Sequence, residues 1–293
     1  MTKGSPRLWR APAKVNLTLA VLGRRADGWH ELDSVVAFAG CGDWLAYEPA
    51  AALSLTIAGP TAAAAGPTDD NLVLRAARAL AERVPRLKLG RFHLRKVLPV
   101  AAGLGGGSSD AAAALRALAD ANGLKPDDER LFAAAAAVSS DAPVCLCPSA
   151  RPMGGRGERL GPALGWPPLP AVLANPGVAV ATPAVFATLG LAPSASLDAP
   201  PAPRLEAGCD AARVVDALAA GRNDLQASAI HIAPAIGDAL AALARLDGAR
   251  LARMSGSGAT CFALFDDRHA AARAARALHA AYPSWWIRAT YLR

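Results

Sequence analysis

The most informative segment of this chain reads Pro99-Val-Ala-Ala-Gly-Leu-Gly-Gly-Gly-Ser-Ser-Asp-Ala-Ala-Ala-Ala-Leu115. Its glycines and serines lead into alanines with high helix propensity. Glycine lets a backbone take positive φ and approach a ligand closely, and a helix N-terminus presents unpaired N–H groups with partial positive charge. The segment therefore predicts a phosphate-binding loop at the start of a helix. A plain glycine-rich helix entry is the alternative interpretation.

Two common nucleotide-binding loops differ from this one. No Gly-Lys-Ser/Thr follows the glycines, which excludes a Walker A loop. A Rossmann fingerprint places an acidic residue about 20 residues on, at the end of a second strand, whereas Asp120 falls within the helical pattern itself. Residues 91–98 are typical of a strand that ends just before Pro99, so strand, glycine loop and helix follow in the order that a phosphate loop needs.

Length and composition indicate a globular protein with room for two domains. The 293 residues are 53% hydrophobic and 19% charged, and no disorder signature dominates. The first residues lack the apolar core of a signal peptide, and no uninterrupted apolar run reaches the roughly 18 residues of a membrane span. We therefore expect a cytoplasmic protein with no membrane partner. The cysteines are scattered and are interpreted as small apolar core residues rather than a metal site: Cys41, Cys145, Cys147, Cys209 and Cys261.

The formal net charge of +7 indicates anionic partners. Nucleic acid and a polyphosphorylated small substrate would both satisfy it. No tract of about five to eight consecutive basic residues occurs. Aromatic residues make up only 5% of the chain, which argues against a stacking platform for single strands. We expect a small-molecule substrate and no nucleic-acid partner, in a monomer or a homodimer.

Hydrophobic periodicity predicts mixed strands and helices in both halves. Strands are expected at 14–21, 34–39, 43–48, 53–57, 91–98, 144–147, 261–265 and 284–291. Helices are expected at 70–83, 108–122, 126–138, 211–219, 235–246 and 269–279, and a loop at 191–207. The pair Thr182-Pro183 is typical of a further helix start. Asp69 or Asp70 is the expected N-cap of the first helix. Gly154, Gly155 and Gly157 and the prolines that follow predict a boundary between domains 1–157 and 158–293.

Three segments together carry a resemblance to a known superfamily. They are Ala11-Pro-Ala-Lys-Val-Asn-Leu17, the glycine-rich segment Pro99–Ala111, and Ser255-Gly-Ser-Gly-Ala-Thr260. In this order and spacing they resemble the three signature motifs of the GHMP kinases. Further segments resemble the branch that acts on a cytidylated methylerythritol: Arg25-Ala-Asp-Gly-Trp-His30, Ser140-Asp-Ala-Pro143 and Gly221-Arg-Asn-Asp-Leu225.

The resemblance implies an α+β, two-domain GHMP kinase fold. Its N-terminal domain would be like the second domain of ribosomal protein S5, and its C-terminal domain would be ferredoxin-like. It further implies transfer of phosphate from ATP, with Mg²⁺, to the 2-hydroxyl of the cytidylated methylerythritol, in the non-mevalonate route to isoprenoid precursors. Two alternatives remain: a GHMP kinase for mevalonate, homoserine or a sugar, and a non-enzymatic RNA-binding protein.

The resemblance assigns catalytic roles to Lys14 and Asp141. From the residues alone, Lys14 is typical of a lysine at a strand end whose ammonium reaches water, and Asp141 is typical of a turn. As implied by the family, Asp141 is the general base, and Lys14 keeps that carboxylate ionised and offsets developing negative charge. No metal ligand is assigned.

Four residues match positions that contact the acceptor in the family. Trp29 stands where the family usually has a tyrosine that stacks on cytosine, and its large ring preserves the stacking face. His30 is implied to hydrogen-bond the base. Asn16 and Thr182 match acceptor positions, and each could instead be a cap or a strand residue.

The resemblance places ATP on the glycine loop. The implied ATP-binding residues are Pro99, Val100, Ala101, Ala102, Gly103, Leu104, Gly105, Gly106, Gly107, Ser108 and Ser109. Lys96 is added to them because it could reach the nucleotide from the preceding strand. Ser108 or Ser109 could instead be the N-cap of the following helix. Some family members have glycine at Ala101 and Ala102. Gly256 and Gly258 are expected to let the third motif approach the phosphate loop or the substrate phosphates, and a tight turn before a strand would be compatible with that role.

Overall fold

A computed structural model describes residues 7–198 and 200–293. The chain divides into two compact units, each assembled from separate pieces of sequence. Of the described residues, the first unit holds those up to Ala13, Gly42–Val100 and Gly105–Pro148; the second holds those within Lys14–Cys41, Ala101–Leu104 and Ser149–Arg293. The units follow packing rather than chain order, and the division at residues 157 and 158 stays a prediction about the sequence domains.

The described residues form ten strands and nine α-helices. The strands are β1 (Arg7–Arg24), β2 (His30–Pro49), β3 (Ser54–Ala58), β4 (Gly90–Arg95), β5 (Arg151–Gly155), β6 (Arg159–Leu160), β7 (Leu169–Asn175), β8 (Ala249–Met254), β9 (Cys261–Phe265) and β10 (Trp286–Leu292). The helices are α1 (Leu72–Ala81), α2 (Gly106–Asn122), α3 (Glu129–Val138), α4 (Ala142–Leu146), α5 (Thr182–Ala187), α6 (Ala211–Ala219), α7 (Gln226–Ile232), α8 (Ala235–Ala244) and α9 (Arg268–Ala281).

The first unit packs helices α1 to α4 together beside a small sheet. In that sheet β4 pairs in parallel with β3 and antiparallel with the last part of β2. Alternate residues of β4 are buried, including Phe92 and Leu94, as expected of a strand with one face on a core. Helix α2 buries a run of alanines, and these small side chains let α1 and α4 pack closely against it.

The second unit is built on an antiparallel sheet in the order β10, β7, β9, β8. The first part of β2 pairs with β5, which pairs with β6. Helices α8 and α9 pack on β7 and β9, and their apolar faces bury Ile236, Leu243 and Leu278 with Val172 and Phe265. Burial of this face stabilises the unit through the hydrophobic effect. None of the helices described is long and apolar enough to cross a membrane.

Several predicted elements are confirmed. The α+β class holds. Helix α6 and strand β9 have the predicted bounds, and α2 ends at Asn122 with Gly123 in the left-handed region (φ +67°). Thr182 and Pro183 begin α5. The predicted loop at 191–207 contains neither helix nor strand in its described residues.

Other predictions about local structure are wrong. Residues 144–147 lie not in a strand but largely in α4, because Pro143 sits in the first turn of a helix, where its fixed φ fits. The N-cap of α1 is Asn71, whose side chain accepts the Val73 N–H at 3.0 Å, instead of Asp69 or Asp70. Strands 34–39 and 43–48 are one strand, β2.

Gly42, which lies between the two predicted strands, has a packing role in β2. A Cβ on Gly42 would lie 2.3 Å from the Ala11 carbonyl oxygen, so the glycine permits a close backbone approach within a continuous strand. Further elements that were not predicted as strands or helices are found between the expected ones: α7, β7, β8 and the β5–β6 hairpin.

Candidate active site

The glycine loop, Pro99–Ser109, has the backbone that an anion-binding loop requires. Gly103 and Gly105 adopt left-handed φ values of +73° and +59°. Gly105 is the N-cap residue of α2, and no side chain caps this helix end. The first N–H groups of a 17-residue helix are therefore open to a ligand. Ser108 and Ser109 lie inside the helix, so the N-cap alternative for them is wrong.

The two serines of the loop have different partners. Ser109 is fully buried, and its hydroxyl donates to the Pro12 carbonyl at 2.8 Å. The Ser108 hydroxyl lies 2.7 Å from that of Ser139. Ser109 thus fixes the start of α2 to β1, whereas Ser108 connects it to the segment before α4.

That segment carries the predicted general base. Asp141 occupies the N-cap position of α4 with φ −87° and ψ −15°, and it is partly buried. Its backbone N–H donates to the Ser139 hydroxyl at 3.2 Å. Ser139 therefore links Asp141 to Ser108 at the start of α2. Sequence reasoning missed Ser139, although its place two residues before Asp141 was a signal.

Lys96, three residues before the glycine loop in sequence, belongs to a buried cluster of charges. Its ammonium is 2.5 Å from Asp43 Oδ2 and 2.7 Å from Asp110 Oδ2. All three residues are at most 4% exposed. Lys96 was predicted to contact ATP, and that role stays a prediction. Neither aspartate was predicted to be functional.

The buried charge cluster shifts the pKa values of its members. Burial raises the pKa of Asp110 to about 7, against the opposing effect of the Lys96 charge. Burial alone would lower the pKa of Lys96, but attraction to Asp110 and Asp43 and their hydrogen bonds raises it. Lys96 is therefore charged at neutral pH. Asp110, with a pKa of about 7, changes its protonation state close to neutral pH.

In the second unit, residues of all three signature motifs meet. The Asn16 N–H donates to the Ser255 hydroxyl at 3.0 Å, and this hydroxyl donates to the Gly103 carbonyl at 2.8 Å. The Lys14 N–H donates to the Leu104 carbonyl at 2.8 Å. The β1 motif, the middle of the glycine loop and the third motif are thus held together by short hydrogen bonds.

Lys14 and Asn16 present polar side chains from the same face of β1. Lys14 is 4% exposed, and its ammonium donates to Asn16 Oδ1 at 2.9 Å. Asn16 is 1% exposed and donates through Nδ2 to the Ser34 hydroxyl at 2.8 Å. The strand-end interpretation of Lys14, with an ammonium in water, is therefore wrong.

The glycines of the third motif allow close packing. Gly256 has a left-handed φ of +57°, and a Cβ there would lie 3.3 Å from Asn16 Oδ1 and from the Gly103 oxygen. Gly258 has φ +87°, and a Cβ would lie 2.8 Å from Met254 Sδ. Both positions therefore favour glycine. Proximity to phosphates stays a prediction for Gly256 and Gly258.

The segment Gly221–Leu225 forms hydrogen bonds with the third motif and with the end of β8 just before it. Asn223 Nδ2 donates to the carbonyls of Met254 and Gly256 at 2.8 and 2.9 Å. Arg253, which is 6% exposed, donates to the Gly221 carbonyl and to that of Leu17. Burial lowers the pKa of Arg253 to about 10, so it remains charged at neutral pH.

An aromatic group lies at the start of β2. The rings of His30 and Phe186 stack with centroids 4.6 Å apart. Burial, and secondarily the charge of Arg24, lowers the pKa of His30, which favours the neutral imidazole at pH 7. Trp29 is 50% exposed, and the Arg156 guanidinium lies 5.3 Å from its ring. Phe186 and Arg156 were not predicted.

Thr182, also predicted to contact the acceptor, begins α5. Its hydroxyl lies 2.7 Å from that of Ser257 in the third motif. Among the residues described, no group of three or more His, Cys, Asp or Glu side chains could hold a metal ion.

Comparison with known proteins assigns both halves of the chain. Residues 71–148 match the GHMP kinases N terminal domain, and residues 209–284 match the GHMP kinases C terminal domain. A 4-diphosphocytidyl-2-C-methyl-D-erythritol kinase of Methylobacterium radiotolerans is 62% identical over 285 residues, which cover 97% of this chain and 98% of that protein. One from Xanthobacter autotrophicus is 60% identical over 287 residues, with the same shares covered.

Solved structures agree. A crystal structure of 4-(cytidine 5'-diphospho)-2C-methyl-D-erythritol kinase superposes with a TM-score of 0.73 at 35% identity, covering 97% of this chain and 99% of that one. A homoserine kinase from Cytophaga hutchinsonii, at 17% identity and a TM-score of 0.70, covers 99% and 95% and shares the fold. The chain belongs to the GHMP kinases and, within them, to the family of 4-diphosphocytidyl-2-C-methyl-D-erythritol kinases.

Proposed function

We propose that this chain transfers the γ-phosphoryl group of ATP to the 2-hydroxyl of 4-diphosphocytidyl-2-C-methyl-D-erythritol, a step towards isoprenoid precursors. The relatives named for this kinase match almost the whole chain. The observation that carries the proposal is the hydrogen-bonded meeting of the three motifs through Ser255. A location in the cytoplasm and the oligomeric state stay predictions.

The glycine loop is proposed to bind the phosphates of ATP. The N-terminus of α2 has no side-chain cap, so its N–H groups and the helix dipole can stabilise negative charge. A Cβ on Gly107 would approach Leu72 to 3.2 Å, so glycine keeps this helix start compact.

Magnesium is proposed to accompany ATP. Mg²⁺ in kinases takes many of its ligands from phosphates and water, with few from protein. Ser108 is the hydroxyl at the start of α2 that could supply one ligand. When bound, the ion would neutralise charge on the transferring phosphoryl group.

Asp141 is proposed to be the general base. The 2-hydroxyl oxygen bonds to the γ-phosphorus as the bond to ADP breaks, and the hydroxyl proton passes to the Asp141 carboxylate. The transition state of phosphoryl transfer is loose, so the position of the acceptor matters more than the strength of the base. The hydrogen bond to Ser139 fixes the backbone of Asp141.

Lys14 and Asn16 are proposed to act on the charge and position of the reacting groups. Lys14 is almost completely buried and is oriented by Asn16. An ammonium held in this way stabilises developing negative charge without reorganisation. We propose Asn16 and Thr182 as acceptor contacts.

Trp29 and His30 are proposed to recognise the cytosine. The exposed ring of Trp29 offers a stacking face, and the stack on Phe186 orients the imidazole of His30. A neutral imidazole has both a donor and an acceptor nitrogen, which suits hydrogen bonds to a base.

The test is an assay of ADP release with a panel of acceptors. We expect turnover with 4-diphosphocytidyl-2-C-methyl-D-erythritol and little with mevalonate, homoserine or galactose. Preferred turnover of one of the other three would assign a different GHMP kinase activity. Salt-sensitive RNA binding without any ATP turnover would support the RNA-binding alternative instead.

A variant tests the catalytic assignment. Asp141→Asn keeps the shape of the side chain but cannot take up the proton. We expect kcat to fall about 10²- to 10⁴-fold, the usual range for loss of a general base, with ADP affinity unchanged. A variant that retains nearly full kcat would remove Asp141 from the mechanism.

A further inference from the structure

The buried charge cluster, Asp43, Lys96 and Asp110, contacts both ends of the glycine loop. Asp43 Oδ1 accepts the N–H groups of Val97 and Leu98 at 2.5 and 2.9 Å, just before the loop begins. Asp110 belongs to the second turn of α2, just after the loop ends. Lys96 bonds to both aspartates. One ammonium therefore connects the two ends of the loop.

The cluster also packs directly against the first residue of α2. A Cβ built on Gly106 would lie 3.6 Å from Lys96 Nζ and 3.8 Å from Asp43 Oδ2. The backbone at the start of α2 thus packs against the side chains of Lys96 and Asp43. A movement of Lys96 or of either carboxylate would be transmitted to that helix end.

Burial of this cluster has a desolvation cost that lowers the stability of the folded chain. Two carboxylates share one ammonium in a site where Asp43 is fully buried and Asp110 is 2% exposed. Asp110 Oδ1 is buried and has no hydrogen-bond partner among the residues described. Buried ion pairs rarely stabilise a protein better than apolar side chains of the same volume. An arrangement of this kind is better explained by the geometry that it imposes than by its contribution to stability.

We propose that Asp43, Lys96 and Asp110 are positioning residues that hold the two ends of the glycine loop at a fixed separation, so that the amides of α2 face the phosphates of ATP. This inference rests on the proposed function and assigns the aspartates a part in it. Lys96 then acts on the nucleotide through the loop instead of by contact. Loss of Asp110 should weaken nucleotide binding, although Asp110 itself does not contact the ligand.

Titration of the full chain with ADP, followed by calorimetry, tests the inference. Asp110→Ala leaves Lys96 paired with Asp43 but releases α2, and we expect ADP to bind about tenfold more weakly, the order expected for loss of one hydrogen bond to a charged group. Asp110→Asn retains an oxygen acceptor for Lys96 and should bind within about threefold of wild type. In turnover, KM for ATP should rise in Asp110→Ala while KM for the acceptor stays the same.

A matched control removes an anchor at the other end of the same helix. The Asn122 side chain accepts the Lys88 N–H at 2.7 Å and donates to the Leu118 carbonyl at 2.8 Å. Asn122→Ala should lower Tm and leave ADP affinity unchanged. Equal weakening of ADP binding in Asn122→Ala and Asp110→Ala would show a general loss of stability and overturn the inference.

The remaining outcomes separate the inference from the proposed function. If Asp110→Ala binds ADP as tightly as wild type, or more tightly because a freed Lys96 contacts the nucleotide, the positioning role is wrong and the kinase assignment is unaffected. A wild-type chain that binds no ADP would overturn the proposed function and the inference with it.

Discussion

The glycine loop is held by charges in one unit and by neutral groups in the other. In the first unit its ends adjoin the buried charge cluster of Asp43, Lys96 and Asp110. In the second unit its middle is held by what we term the neutral anchor: Ser255 Oγ donates to the Gly103 carbonyl at 2.8 Å, and the Thr260 N–H donates to the Ala102 carbonyl at 3.1 Å.

The charge cluster and the neutral anchor differ in how much stability is lost when one partner is removed, and in whether that loss depends on pH. A buried charge that loses its partner carries a desolvation penalty of several kcal/mol, and its protonation changes with pH. A neutral hydrogen bond contributes about 1 kcal/mol net and does not titrate. Loss of one partner at the ends of the loop therefore leaves a buried charge unpaired and costs several kcal/mol of stability. Loss of one hydrogen bond in its middle costs only about 1 kcal/mol.

The largest effect is expected when the cation is removed from the cluster. Lys96→Met leaves Asp43 and Asp110 buried without their ammonium, and the free energy of unfolding should fall by about 3–5 kcal/mol. Urea denaturation measures it. The matched control is Lys88→Met at an exposed position, which should change stability by less than about 0.5 kcal/mol. Equal losses at the two positions would show that the cluster behaves like an ordinary surface pair.

The next largest effect is a dependence of stability on pH, which we expect for the charge cluster and not for the neutral anchor. The pKa of Asp110 is raised from 3.8 to about 7 in the folded chain, so its contribution to stability is complete below pH 4 and is lost as the pH rises towards 7. Asn at this position does not titrate. From pH 5 to pH 8, the stability of Asp110→Asn relative to wild type should therefore rise by about 2–3 kcal/mol. A constant difference over this range would contradict the raised pKa.

The sequence predicts the glycine loop and shows the third motif as a pattern, but it does not predict the hydrogen bonds of Ser255 and Thr260 to the loop. Glycines and serines are visible as local patterns, and the order of strand, loop and helix follows from neighbouring residues. The meeting of Asn16 with Ser255, 239 residues apart, was accessible only because each lies in a motif that the family resemblance connects. No periodicity in the chain indicates that contact.

The charge cluster was not predicted, for a physical reason. Asp43 follows a glycine and has the appearance of the start of a strand, and Asp110 stands among helix-forming alanines. Nothing local shows that either is buried, because their burial depends on the fold bringing both of them to Lys96. Lys96 was assigned to the nucleotide for its place before the loop, whereas its partners come from 53 and 14 residues away.

A smaller, pH-independent effect is expected in the neutral anchor. Ser255→Ala removes the partner of both the Asn16 N–H and the Gly103 carbonyl, and should cost about 1–3 kcal/mol of unfolding free energy at pH 5 and at pH 8 alike. The control, Ser257→Ala, removes a hydroxyl of the same loop that pairs with the exposed Thr182. It should cost less than about 1 kcal/mol. A pH-dependent loss in Ser255→Ala would show that the neutral anchor is coupled to a titrating group.

The smallest effect is expected at Ala101, next to the neutral anchor. Ala101 is exposed and has a left-handed φ of +52°, which costs a residue with a Cβ about 1–2 kcal/mol. Ala101→Gly removes this strain but gains about 0.4–1 kcal/mol of chain entropy in the unfolded state. The strain is the larger of the two, so the variant should be more stable by about 0.5–1 kcal/mol. Thermal unfolding measures the difference. A lower Tm would show that unfolded-state entropy dominates at this position, and that the middle of the loop is held without strain.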